Sequence, residues 1–153
     1  MIMIAAATIH SGAGSAFAGE REAFSALANH DYARAFKEFK ILADQGDARS
    51  QFNLAVMCKN GKGVPQDYTE AFKWFRMAAE QGHVRAQSNV ARMYYDGQGV
   101  PKDYVRAYMW ANLAGNQGDA AALKLQETVA QSLTPAQLAE AQQMAREWKP
   151  KTK

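Results

Sequence analysis

Three histidines, one cysteine and two Gly-x-Gly pairs are the residues of this chain that could first be suspected of chemistry. A metal site on a helix needs a second imidazole, thiolate or carboxylate at a spacing that shares one face. His10, His30 and His83 each lack such a partner. A single cysteine, Cys58, cannot form an intrachain disulfide or a thiolate-rich metal site. Gly61-x-Gly63 and Gly97-x-Gly99 lack a third glycine and the Lys-Ser/Thr of a phosphate loop. No serine is followed three residues later by lysine, so a serine–lysine nucleophile is absent. No catalytic residue, cofactor or metal is therefore expected. One polar pattern does recur: Arg49 with Asn53, and Arg85 with Asn89, at helical i, i+4 spacing. A guanidinium binds carboxylates through two parallel hydrogen bonds, and an amide can hold a peptide backbone.

The elements that position those pairs are repeats. GKGVPQDYTEAFKW (61–74) returns as GQGVPKDYVRAYMW (97–110), and Gly46, Gly82 and Gly118 mark a period of 36 residues. A catalytic loop needs one copy of its geometry, whereas an array needs the same turn at each step. Within each unit Gln51, Leu54, Ala55 and Cys58, then Gln87, Val90, Ala91 and Tyr94, recur at helical spacing and predict a first helix with one buried face. Gly61 and Gly97 suit the left-handed residue that ends a helix. Gly63 and Gly99 permit a second unusual backbone conformation, Pro65 and Pro101 stop the first helix, and Asp67 and Asp103 suit the N-cap of the second. Tyr68, Ala71, Phe72, Phe75 and Ala78, with Trp74 beside them, form the buried side of that second helix.

These residues, from Gly61 to Ala79 and from Gly97 to Ala114, resemble the Sel1-like repeat, a relative of the tetratricopeptide repeat. Cys58, Ala55 and Gly115 depart from it, standing where the pattern prefers Tyr, Gly and Ala. The resemblance implies an all-α fold, a short α–α superhelix of helical hairpins. Its expected divisions are a signal peptide at 1–18, a leading tetratricopeptide-like hairpin at 19–45, repeats at 46–81 and 82–117, and a capping helical hairpin at 118–150. In the last, Thr134-Pro135-Ala136-Gln137 reads as a capping box, and Leu138, Ala141, Ala145 and Trp148 as a stripe closing the stack. In repeats of this kind the first helices line the concave wall. Arg49, Phe52, Asn53, Val56, Arg85, Asn89 and Arg92 are then the candidate partner-binding residues, with Ser88 alongside.

The expected function is a non-enzymatic protein–protein interaction module that takes a protein or peptide, with a preference for acidic residues, in that groove. The resemblance implies adaptor roles in bacteria. Two alternatives stand beside it: a hydrolase of the β-lactamase-like or cell-wall type, and a purely structural oligomer-forming subunit. Net charge is +3, without a basic run dense enough for nucleic acid. Lys149, Lys151 and Lys153 read as a solvated tail. The N-terminal MIMIAAATI, followed by Ala16-Phe17-Ala18, has the form of a secretory signal but contains no basic residue. It is shorter than the roughly 20 apolar residues of a membrane span. A periplasmic or secreted location is expected, with the cytoplasm as the alternative.

Overall fold

The computed structural model describes residues 12–152. Among them are eight helices and no strand: α1 (Gly12–Ala28), α2 (Tyr32–Asp44), α3 (Ala48–Asn60), α4 (Tyr68–Glu80), α5 (Val84–Asp96), α6 (Tyr104–Asn116), α7 (Ala120–Ala130) and α8 (Pro135–Glu147). Residues 1–11 of the expected leader lie outside the described residues, while Ala16-Phe17-Ala18 lies within α1. No described helix is long and apolar enough to cross a membrane.

Six of the eight helices, α2, α3, α4, α6, α7 and α8, begin where a short side chain satisfies a free N–H of the first turn. The carboxylates of Asp31, Asp47, Asp67, Asp103 and Asp119 accept from the backbone three residues on. Thr134 and Gln137 close a full capping box on α8, with proline in its first turn. Gly61 and Gly97 end α3 and α5 in the left-handed region, at φ 65° and 71°. The hinge is then tied to the helix it leaves: Asp67 N–H donates to the Cys58 carbonyl, and Asp103 N–H to the Tyr94 carbonyl. Pro65 and Pro101 sit exposed within these loops.

Helices pack in sequence, α1 on α2, α2 on α3, and so on to α6 on α7. Ala35, Phe39, Leu54, Ala71, Phe75, Ala78, Val90, Ala107 and Ala111 are fully buried between them. Burying one such phenylalanine is worth about 2–3 kcal/mol. The alanines contribute less area but let neighbouring helices approach closely.

Two buried glutamines tie one hairpin to the next. Gln51 donates to the Ala43 carbonyl at 3.2 Å and accepts from Gln81 at 2.8 Å. Gln87 does the same with the Ala79 carbonyl at 3.3 Å and Gln117 at 2.9 Å. Each amide thus bridges the last turn of the preceding hairpin to the end of its own, and the polar groups cost nothing by being buried.

The segment after α7 departs from the expectation of a capping hairpin. α8 lies along α6 and hardly meets α7. Its stripe of buried Ala141 and Ala145 and half-buried Leu138 faces inward there, and Trp148 meets Trp110 edge-on at 6.0 Å. The reason is in the hinges. Gly63 and Gly99 have φ of 72° and 69°, and a Cβ on either would collide with the carbonyl of Tyr32 or Tyr68, the first residues of α2 and α4. These glycines seat each hinge on the start of the preceding second helix. Gln131–Thr134 has no glycine, so no such seat forms on α6 and α8 takes another place.

Among the C-terminal lysines Lys151 is exposed but paired. Lys151 donates from its backbone to the Glu80 carbonyl and from its ammonium to the Glu80 carboxylate, both at 2.7 Å. Lys149 is exposed, and Lys153 lies outside the described residues.

Gly63→Ala is expected to lower stability by about 2–3 kcal/mol in urea unfolding, since it meets both a positive φ and a backbone collision. Gly118→Ala, at φ 96° with nothing within 4 Å of its Cβ, is expected to cost only the roughly 1 kcal/mol of the backbone conformation. Equal losses in the two variants would contradict the seating.

Candidate functional site

The candidate wall is built from α3, α5 and α7, which recur every 36 residues and so present equivalent positions at the same height. Arg49, Arg85 and Arg92 are all exposed along it, whereas Phe52, Asn53, Val56, Ser88 and Asn89 are half-buried. The structure thus brings the expected binding residues onto one side of the stack, opposite the buried Gln51, Leu54, Ala55 and Cys58 face of α3.

Their engagement differs from the expectation. The Arg49 guanidinium lies over the Phe24 ring at 4.5 Å, and that of Arg85 over the Phe52 ring at 5.5 Å. Each arginine therefore covers an aromatic ring of the preceding first helix, a contact worth about 0.5–1 kcal/mol at an exposed site. Stacking occupies a face of the guanidinium and leaves its in-plane N–H groups directed outward. Glu20 approaches Arg49 at 3.9 Å, and the Arg49 side chain remains 62% exposed. No carboxylate lies within ion-pair reach of Arg85 or Arg92 among the described residues.

Asn53 and Asn89 each commit one amide N–H to their own helix. Each donates through Nδ2 to the carbonyl four residues back, Arg49 and Arg85 respectively, at 2.8 Å. Phe52 is likewise committed, stacked on His83 at 4.7 Å and tilted against Phe75 at 5.7 Å. One cation went unnoticed in the sequence: Lys59, at the end of α3, donates to Asn89 Oδ1 at 3.4 Å and joins the wall between α3 and α5. Its equivalent 36 residues on is Tyr95, so the repeat gave no signal for it.

His83 has a structural role. It is the N-cap of α5, and its Nδ1 accepts from the Ala86 N–H at 3.2 Å. That bond requires an unprotonated Nδ1. Burial, aided by the positive charges of Arg85 and Arg49, lowers its pKa from the ordinary histidine value. His30, at φ 59°, makes the turn into α2 and contacts the Tyr32 hydroxyl. Cys58 is buried, and its thiol is pushed up to about 11 by burial and by the nearby carboxylates of Glu70 and Asp67, which keeps it protonated. No group of three His, Cys, Asp or Glu placed to hold a metal occurs among the described residues.

The family described as Sel1 repeat matches residues 48–83 and 84–119. Among solved structures, the chain is similar to a protective antigen present in uropathogenic Escherichia coli strains displaying an SLR fold, with 30% identity and a TM-score of 0.82. That match covers 89% of this chain but 30% of the antigen. It is also similar to a Sel1 repeat protein from Oxalobacter formigenes, with 31% identity and a TM-score of 0.69 over 76% of this chain and 90% of that one. No curated protein matches the chain.

Because His83 is bound neutral, the unfolded chain takes up more protons below its ordinary pKa near 6.5, so stability falls as pH drops through that value and below. His83→Asn keeps an N-cap without a titrating ring. Thermal melts of the variant between about pH 7 and 5 are expected to lose part of the pH dependence seen in the parent; parallel curves would remove His83 from the account.

Proposed function

Because the chain belongs to the Sel1 repeat family, we propose that it is a non-catalytic scaffold binding an acidic protein segment along α3, α5 and α7. Sel1 repeat proteins generally mediate protein–protein interaction. The observation that carries the reading is the run of cations Arg49, Arg85, Lys59 and Arg92 on one wall, of which only Arg49 has a carboxylate in reach among the described residues. The stacked arginines are held in place by Phe24 and Phe52, so binding would not require ordering long, free side chains.

Both layers of helices are bridged along the stack. α5 packs on α7, Arg85 lies over Phe52 between α5 and α3, and Arg49 over Phe24 between α3 and α1, while between second helices Lys40 of α2 lies over the Trp74 ring of α4 at 5.2 Å. An extended or helical segment bearing carboxylates fits this cationic wall by charge complementarity, which sets specificity and on-rate more than raw affinity. Export to the cell envelope remains part of the proposal, supported by the A-x-A stretch at Ala16–Ala18.

The test is capture from an envelope extract with Arg49→Glu/Arg85→Glu beside the parent protein. Loss of the captured partner is expected. The aromatic stacks add a stability cost that the sequence did not suggest, about 1–2 kcal/mol for the pair, or a few degrees of melting temperature. Undiminished capture by a folded double variant would refute the wall as the binding surface.

A further inference from the structure

The arginine-on-aromatic stack lapses at the third step of the array. Ser88 stands where α3 has Phe52, and Ala121 where α5 has Arg85, each 36 residues on. Both bulky members are missing together. At that step the wall opens into a pocket of about 230 Å³ lined by Lys59, Ser88, Asn89, Arg92, Ala121 and Leu125.

The lining contains two cations and no carboxylate. Lys59 is steered by Asn89 Oδ1, and Asn89 is itself fixed by its bond to the Arg85 carbonyl. Arg92 is exposed, with its guanidinium 5.9 Å from the centre of the Tyr95 ring. Neither cation has a carboxylate within ion-pair reach among the described residues. Asp119, at the start of α7, is already engaged by the Ala122 N–H at 2.8 Å and the Ser88 hydroxyl at 3.4 Å. Leu125, itself buried, supplies an apolar surface to the lining.

We propose that this pocket anchors the partner by taking one glutamate side chain, its carboxylate between Lys59 and Arg92 and its methylenes against Leu125. The assignment rests on the scaffold reading above and narrows it to one point. Two charge-assisted hydrogen bonds reward a carboxylate there. The apolar surface rewards a two-carbon stem over the single carbon of aspartate. At the other two steps the stacked Phe24–Arg49 and Phe52–Arg85 pairs occupy the equivalent space, so a segment would lie across them without inserting.

The test uses fluorescence anisotropy with acetylated, amidated peptides of alternating Glu and Ala, beside Asp/Ala and Gln/Ala counterparts and a Gln/Ala peptide with a free terminal carboxylate. The Glu peptide is expected to bind the full chain, and the Asp peptide at least tenfold more weakly. Ser88→Phe/Ala121→Arg rebuilds the missing stack, fills the pocket and adds a positive charge to the wall. It is expected to weaken the Glu peptide at least tenfold, as is Lys59→Gln/Arg92→Gln, whose changes lie on exposed or half-exposed side chains. Equal or tighter binding by a folded Ser88→Phe/Ala121→Arg variant would overturn the pocket and leave the charged wall as the binder. Unchanged binding by Lys59→Gln/Arg92→Gln would overturn it too, as would equal binding of the free-carboxylate Gln peptide, which would make a chain terminus the occupant. If Arg49→Glu/Arg85→Glu also leaves both peptide binding and partner capture intact, the scaffold reading fails with it.

Discussion

Where the hinges at Gly63 and Gly99 cross the first residues of α2 and α4, backbone lies against backbone with no room for a side-chain carbon. The opposing atoms are a carbonyl and an amide of a helix's first turn, which cannot move aside as a flexible side chain would. This approach fixes how far each hairpin stands from the one before it. The spacing then decides which side chains meet across the joint. Gln51 and Gln87 reach the last-turn carbonyls of the preceding hairpin, and Arg49 and Arg85 reach its aromatic rings. When the glycines stop, as they do after α7, the stacking stops with them and α8 settles along α6.

The two sets of inter-hairpin contacts do different work. The glutamine bridges are buried and satisfied, so breaking one would strand polar groups away from water, a cost of about 1–3 kcal/mol. They lock the register of the stack from inside. The arginine stacks lie on the outside, are individually weak, and leave charged edges in solvent. A solenoid can therefore lose an outer stack at one step and keep its fold, which is what the Ser88 and Ala121 pair has done. The vacated space becomes available for recognition without loss of the scaffold.

The C-terminal segment adds a second layer to this economy. Trp148 packs against Trp110, and Lys151 ties the chain to Glu80 at the end of α4. Burial disfavours the Glu80 carboxylate, but hydrogen bonds from Lys151 and Arg76 more than offset this and lower its pKa. The tail thus braces the side of the stack away from the first-helix wall.

The repeat period, the helical hairpins, the N-caps at Asp67 and Asp103 and the left-handed Gly61 and Gly97 were all legible in the sequence, because each depends on residues within a turn or two of one another. Local backbone geometry is written locally. The sequence also placed Arg49, Arg85 and Arg92 on a common side, since helical periodicity alone sets that. It could not say what those arginines touch, that Asn53 and Asn89 each commit an amide N–H to their own helices, or that Lys59 joins them. Nor could it foresee that α8 abandons α7. Those outcomes depend on how far apart and at what angle the hairpins stack, a distance set by contacts between residues some thirty positions apart, such as Gly63 with Tyr32. Helical character belongs to the segment; the wall, its pocket and its charges exist only once the hairpins are pressed together.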